Sequence, residues 1–74
     1  MLPEIDHPVW AEIVTGKKRF QSNRPTFNLL LQSNKMNYER DPSPENLQAL
    51  IARTYSFLSQ YQALFAGEIA SILE

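Results

Sequence analysis

The sequence predicts an all-α fold: two short helices packed on one long C-terminal helix, a small helical bundle completed by dimerisation. Three observations carry this expectation. Apolar residues recur at helical spacing in three stretches. Each stretch opens on a proline, at positions 8, 25 and 44, where the missing N–H of a first-turn proline costs nothing. From Pro44 to Leu73 only Gly67 disfavours helix, at about 1 kcal/mol relative to alanine.

The first helix is expected over residues 8–15. Asp6 or His7 can cap it, and Val9, Trp10, Ile13 and Val14 give it one apolar face. Gly16 supplies a left-handed stop, and Lys17, Lys18 and Arg19 suit the negative end of the helix dipole. Residues 17–24 then form a basic connector anchored by Phe20. The second helix is expected over 25–38, starting near Asn23 or Arg24. Phe27, Leu30, Leu31, Asn34 and Tyr38 share its inner face, with Leu29 and Met36 to one side. Asp41 precedes Pro42, a pairing that ends helices. Ser43, Pro44 and Glu45 then give the clearest helix start in the chain: a cap, a first-turn proline and an acid at the positive end.

The third helix is expected as a single rod from 44 to about 72, with Gly67 as its possible kink. On a wheel, Leu47, Leu50, Ile51, Thr54, Leu58, Tyr61, Phe65, Ile69 and Ile72 fall together, and Tyr55, Phe57, Leu64 and Leu73 widen that face to about half the circumference. Two short helices alone would not cover it. The opposite face is Ala49, Ala52, Ser56, Ser59, Ala63, Ala66 and Ala70, a heptad-spaced seam of small residues. Only Arg53 and Glu68 are charged between Leu47 and Leu73, two of 27 residues against 13 of the other 47. Exposed helix faces usually carry charge, so the seam is expected to be buried. The competing reading makes it the wetted side of a three-helix monomer, since alanine is also the best helix former. Membrane insertion fits less well, because Gln48, Gln60, Gln62 and the serines oppose spanning and lysine is missing for interfacial binding.

Size supports association. A single domain of 74 residues buries a modest core and commonly needs a staple. Cysteine is absent and there is one histidine, so neither disulfides nor a structural zinc site is available. A partner subunit remains. The net charge of −1 gives no global attraction to nucleic acid or acidic membranes. The start, Met1 to Asp6, has no secretory pattern and no apolar run is long enough to span a bilayer, so a cytoplasmic protein is expected.

Few residues suggest chemistry. His7 beside Asp6 and Pro8 reads as a cap rather than a catalytic base. With two glycines no phosphate loop can be built, and no metal-ligand spacing occurs. Glu4, Asp6 and Glu12 complement a helix start, and Glu39 and Asp41 flank Arg40 in a solvated turn. No enzyme activity, cofactor, catalytic residue or metal site is therefore expected. Lys17, Lys18, Arg19 and Arg24 are the one local charge anomaly, four cations in eight residues that could contact phosphates. They could equally complement the first helix dipole or dock an acidic protein.

Two stretches, His7 to Lys17 and Tyr38 to Leu50, resemble segments of small uncharacterised helical proteins of cyanobacteria, over about a third of the chain. The resemblance implies an intracellular bacterial protein and carries no activity, cofactor or site residue.

The expected function is a small regulatory or interaction module acting by helix-mediated homo- or hetero-association, most simply a homodimer. Leu50, Phe57, Leu58, Tyr61, Leu64 and Phe65 are the expected packing or partner residues. Ala52, Ser56, Ser59 and Ala63 are the expected close seam. The alternative is a dimeric nucleic-acid-binding regulator using Lys17, Lys18, Arg19 and Arg24.

Overall fold

A computed structural model describes all 74 residues. The chain is all-helical, with α1 over Pro8–Thr15, α2 over Pro25–Arg40, α3 over Pro44–Gln60 and α4 over Ala66–Ser71. The helices α1, α2 and α3 pack pairwise against one another.

The local start and stop chemistry sets most boundaries. His7, not Asp6, caps α1: its Nδ1 accepts the Val9 N–H at 3.0 Å. Gly16 ends α1 with φ 82°, the left-handed conformation that glycine adopts without strain. Arg24 stands at the N-cap of α2 without a side-chain cap bond. This helix runs two residues past the expected end, to Arg40. Asp41 then turns extended before Pro42, and Asn46 donates to the carbonyls of Asn37 and Asp41 at 3.1 and 2.8 Å. One amide thus serves the open C-terminal end of α2. Ser43 caps α3 by accepting the Asn46 N–H at 3.1 Å.

The third expected helix is corrected. It ends at Gln60, and Tyr61–Phe65 form a turn before α4. The amides of Leu64 and Phe65 both return to the Tyr61 carbonyl, while those of Gln62 and Ala63 find no backbone acceptor. Gly67 is not the break; it lies inside α4, exposed. A rod over 44–72 would be roughly 43 Å long at the helical rise. The molecule measures 32 Å in its longest direction. Continuing straight would carry Ile69 and Ile72 past the end of α1 and α2 into water. Folding back buries Phe65, Ile69 and Ile72, each worth about 1.5–3 kcal/mol. That gain outweighs the hydrogen bonds lost in one turn.

The core joins Val9, Trp10, Ile13 and Val14 of α1, Phe27 of α2, Leu50, Ile51 and Leu58 of α3, and the three apolar residues returned by the turn. Phe27 is its aromatic hub, with ring centroids 5.8 Å from Phe20, 6.3 Å from Phe57 and 5.6 Å from Phe65. Trp10 lies edge-on to Tyr55 and donates its indole N–H to the Glu4 carbonyl at 2.8 Å. The lead-in before α1 is thereby tied to the core. No helix is long and apolar enough to cross a membrane.

Candidate functional site

The break after Gln60 redistributes the expected interface residues. Leu50, Leu58 and Phe65 are fully committed to the core, and Phe57 is half-buried beside Phe27 and Phe65. The broad apolar face of the C-terminal region is therefore largely covered by α1, α2 and its own fold-back. Its width no longer demands a partner. Tyr61 and Leu64 remain exposed at the turn, and Leu73 after α4.

The small-residue seam is also corrected as a continuous feature. Ala49, Ala52, Ser56 and Ser59 stay aligned and exposed on α3. Ala63 lies in the turn and Ala66 and Ala70 on α4, so the stripe stops with α3. Its four remaining members point away from the core.

A second exposed feature runs alongside it. Leu29 and Met36 of α2 are 65% and 61% exposed, values more usual for lysine than for large apolar side chains. They stand seven residues apart, two turns along one face, with Ser33 between them. Between α2 and α3 a groove of about 610 Å³ is lined by Leu29, Leu30 and Ser33 on one wall and Arg53, Ser56 and Phe57 on the other. A further hollow runs along α2 past Met36 to Arg40. Leu29 thus meets Ser56 of α3 across the groove, and Leu29 and Met36 together border the hollow along α2, which Glu39 and Arg40 close at its far end. The sequence did place Leu29 and Met36 off the core face of α2. The meeting of Leu29 with Ser56 of α3 depends on how the two helices pack.

The expected basic cluster is divided. Arg24 holds its guanidinium carbon 5.8 Å from the centroid of the Phe65 ring, a cation–π contact at the mouth of the turn. Lys18 donates to the main-chain oxygen of Glu74, the last residue, at 2.6 Å. Lys17 and Arg19 are exposed. Lys35 of α2 joins Lys18 and Arg19 in lining a separate groove, from which Arg24 is absent. This partner was missed in the sequence, although Asn28, Gln32 and Lys35 follow helical spacing on one side of α2.

The connector is pinned by side chains. Asn28 accepts the Ser22 N–H at 2.9 Å and donates to the Ser22 carbonyl at 2.8 Å. The Ser22 hydroxyl donates to the Glu68 carboxylate, linking the connector to α4. His7 has one ring nitrogen engaged as the α1 cap. No group of three or more His, Cys, Asp or Glu is arranged to hold a metal ion.

Comparison with protein-family models, with curated proteins and with solved structures finds no match to this chain.

Proposed function

We propose that the chain is a non-enzymatic protein–protein interaction module that pairs with a second copy of itself through the open α2–α3 face. The observation that carries this reading is the exposure of Leu29 and Met36 on one face of α2, with Ser56 and Phe57 of α3 lining the groove beside Leu29. In an antiparallel pairing of two α2 helices about Ser33, Leu29 of one copy meets Met36 of the other, and the small Ser33 allows close approach. A two-fold interface needs such self-complementarity. The groove beside Phe57 then receives the edge of the partner helix. Two α2–α3 pairs stacked this way form a four-helix layer, which enlarges a core that a 74-residue chain alone keeps small.

Ser59 near the end of α3 and Tyr61 and Leu64 in the turn beyond it serve as the rim of this contact. Regulation by such a module works through occupancy of the face, with no reaction at any residue.

Equilibrium sedimentation tests the reading. Wild-type protein at high micromolar concentration should have twice the chain mass. Leu29→Lys and Ser56→Glu should each return it to a monomer while preserving the helical circular dichroism spectrum. Wild-type protein that stays monomeric at that concentration rejects the pairing. The nucleic-acid reading has less support, because Arg24 is directed to Phe65 and the overall charge is −1.

A further inference from the structure

We propose that the groove between the α1–α2 connector and α2 binds a small molecule carrying a diphosphate group. It measures about 390 Å³, within the ordinary range for small-molecule sites. Lys18, Arg19 and Gln21 of the connector line it together with Gln32 and Lys35 of α2, and Phe20 and Leu31 give it an apolar part.

Charge is the first argument. Three of the seven basic residues of the chain converge on this groove, and none of its eight acidic residues lines it. Cations gathered around a concave surface raise the local potential, which draws an anion even to a protein of net charge −1. A diphosphate offers two adjacent anionic groups, which Arg19 and Lys35 from opposite walls can each engage, with Lys18 beside them.

Pre-organisation is the second. Gly16 turns the chain sharply over the Lys35 stem; a methyl group there would lie 3.1 Å from both Cδ and Cε of Lys35. The Lys35 stem thus lies against Gly16 at the end of α1, which brings its ammonium to the connector side of the groove. The connector opposite is held by the double hydrogen bond between Asn28 and Ser22. Lys18 is held beside the groove by the main-chain oxygen of Glu74, the last residue, at 2.6 Å. Phe20 and Leu31 offer contact for an apolar or planar group attached to the diphosphate. This proposal is independent of self-association.

The test is calorimetric titration with pyrophosphate and with ADP. Both should bind saturably at one site per chain, ADP the more tightly. Lys35→Met keeps the aliphatic stem over Gly16, and it should weaken both by about tenfold or more, the loss expected for one charge-assisted hydrogen bond. Arg19→Gln, at an exposed position, should do the same and guards against a folding effect at Lys35. Arg24→Gln, outside the groove, should leave both affinities unchanged. Absence of saturable binding overturns the proposal, as does an equal loss in Arg24→Gln, which would mark diffuse charge attraction. A single-stranded oligonucleotide that binds more tightly than ADP, with losses spread over Lys17 and Arg24, also overturns it in favour of a nucleic-acid surface.

Discussion

The side-chain amide of Asn34 on α2 donates to the hydroxyl of Thr54 on α3 across 2.5 Å, with both residues wholly buried. Thr54 in turn donates to the Leu50 carbonyl at 3.0 Å. The Asn34 Oδ1 has no partner. A buried acceptor without a partner costs free energy, so the pair contributes more to the alignment of α2 on α3 than to stability. It holds the two helices that border the open face in one register.

Asn34→Asp should expose the cost of charge at this point. Burial raises the folded-state pKa of the new carboxyl above its unfolded value of about 3.9. Between those values the folded state holds more protons, so stability falls as pH rises. Chemical denaturation should show a loss of about 3 kcal/mol or more at neutral pH. Most of that loss should disappear as the pH is lowered toward the unfolded value. A loss independent of pH would contradict a buried carboxylate.

The turn at Tyr61–Phe65 makes neighbouring residues unequal. Phe65→Ala should destabilise the protein by about 3–5 kcal/mol, the usual cost of removing a buried phenylalanine. Leu64→Ala, at a half-exposed site, should stay within about 0.5 kcal/mol. Hydrogen exchange adds a direct reading. The amides of Gln62 and Ala63 should exchange far faster than those inside α3, whereas an unbroken helix would protect all of them.

The two glycines should respond to alanine in opposite directions. At Gly67 a methyl group meets nothing within 4 Å, and the substitution should stabilise by about 0.5–1 kcal/mol. At Gly16 the positive φ and the Lys35 stem both resist, giving a loss of about 1–2 kcal/mol. Thermal melts of the two variants, compared at equal concentration, read the signs.

Ser43→Ala removes the oxygen that accepts the Asn46 N–H and should cost about 1 kcal/mol. Ser43→Gly should cost only a few tenths. Equal losses in urea denaturation would mean that backbone conformation, not the cap bond, governs the start of α3.

Three helix starts were legible from residue order alone, because each is a local event. Pro8, Pro25 and Pro44 stand at first turns, Ser43 caps α3, and Gly16 closes α1. The inner faces of α1 and α2 were legible for the same reason, since helical spacing decides which side chains share a side. The open face was half legible. Leu29 and Met36 lie off the core side of α2, but nothing in their spacing says which residues of α3 stand beside them. The groove that gathers Lys18, Arg19 and Lys35 was not legible, because Lys35 is eleven residues beyond Arg24 in the chain and reaches the other two only when α2 packs against α1.

By itself the sequence determined that this protein is helical, where its first three helices begin and which faces of α1 and α2 turn inward; these follow from bonds and contacts within a few residues. Only the tertiary structure decided where the third helix stops. Residues 61–65 hold no glycine or proline, and their own preferences favour continuing. The chain turns there because Phe65, Ile69 and Ile72 gain more by joining the core around Phe27 than the backbone gains by staying straight, and that comparison exists only once the rest of the core is in place.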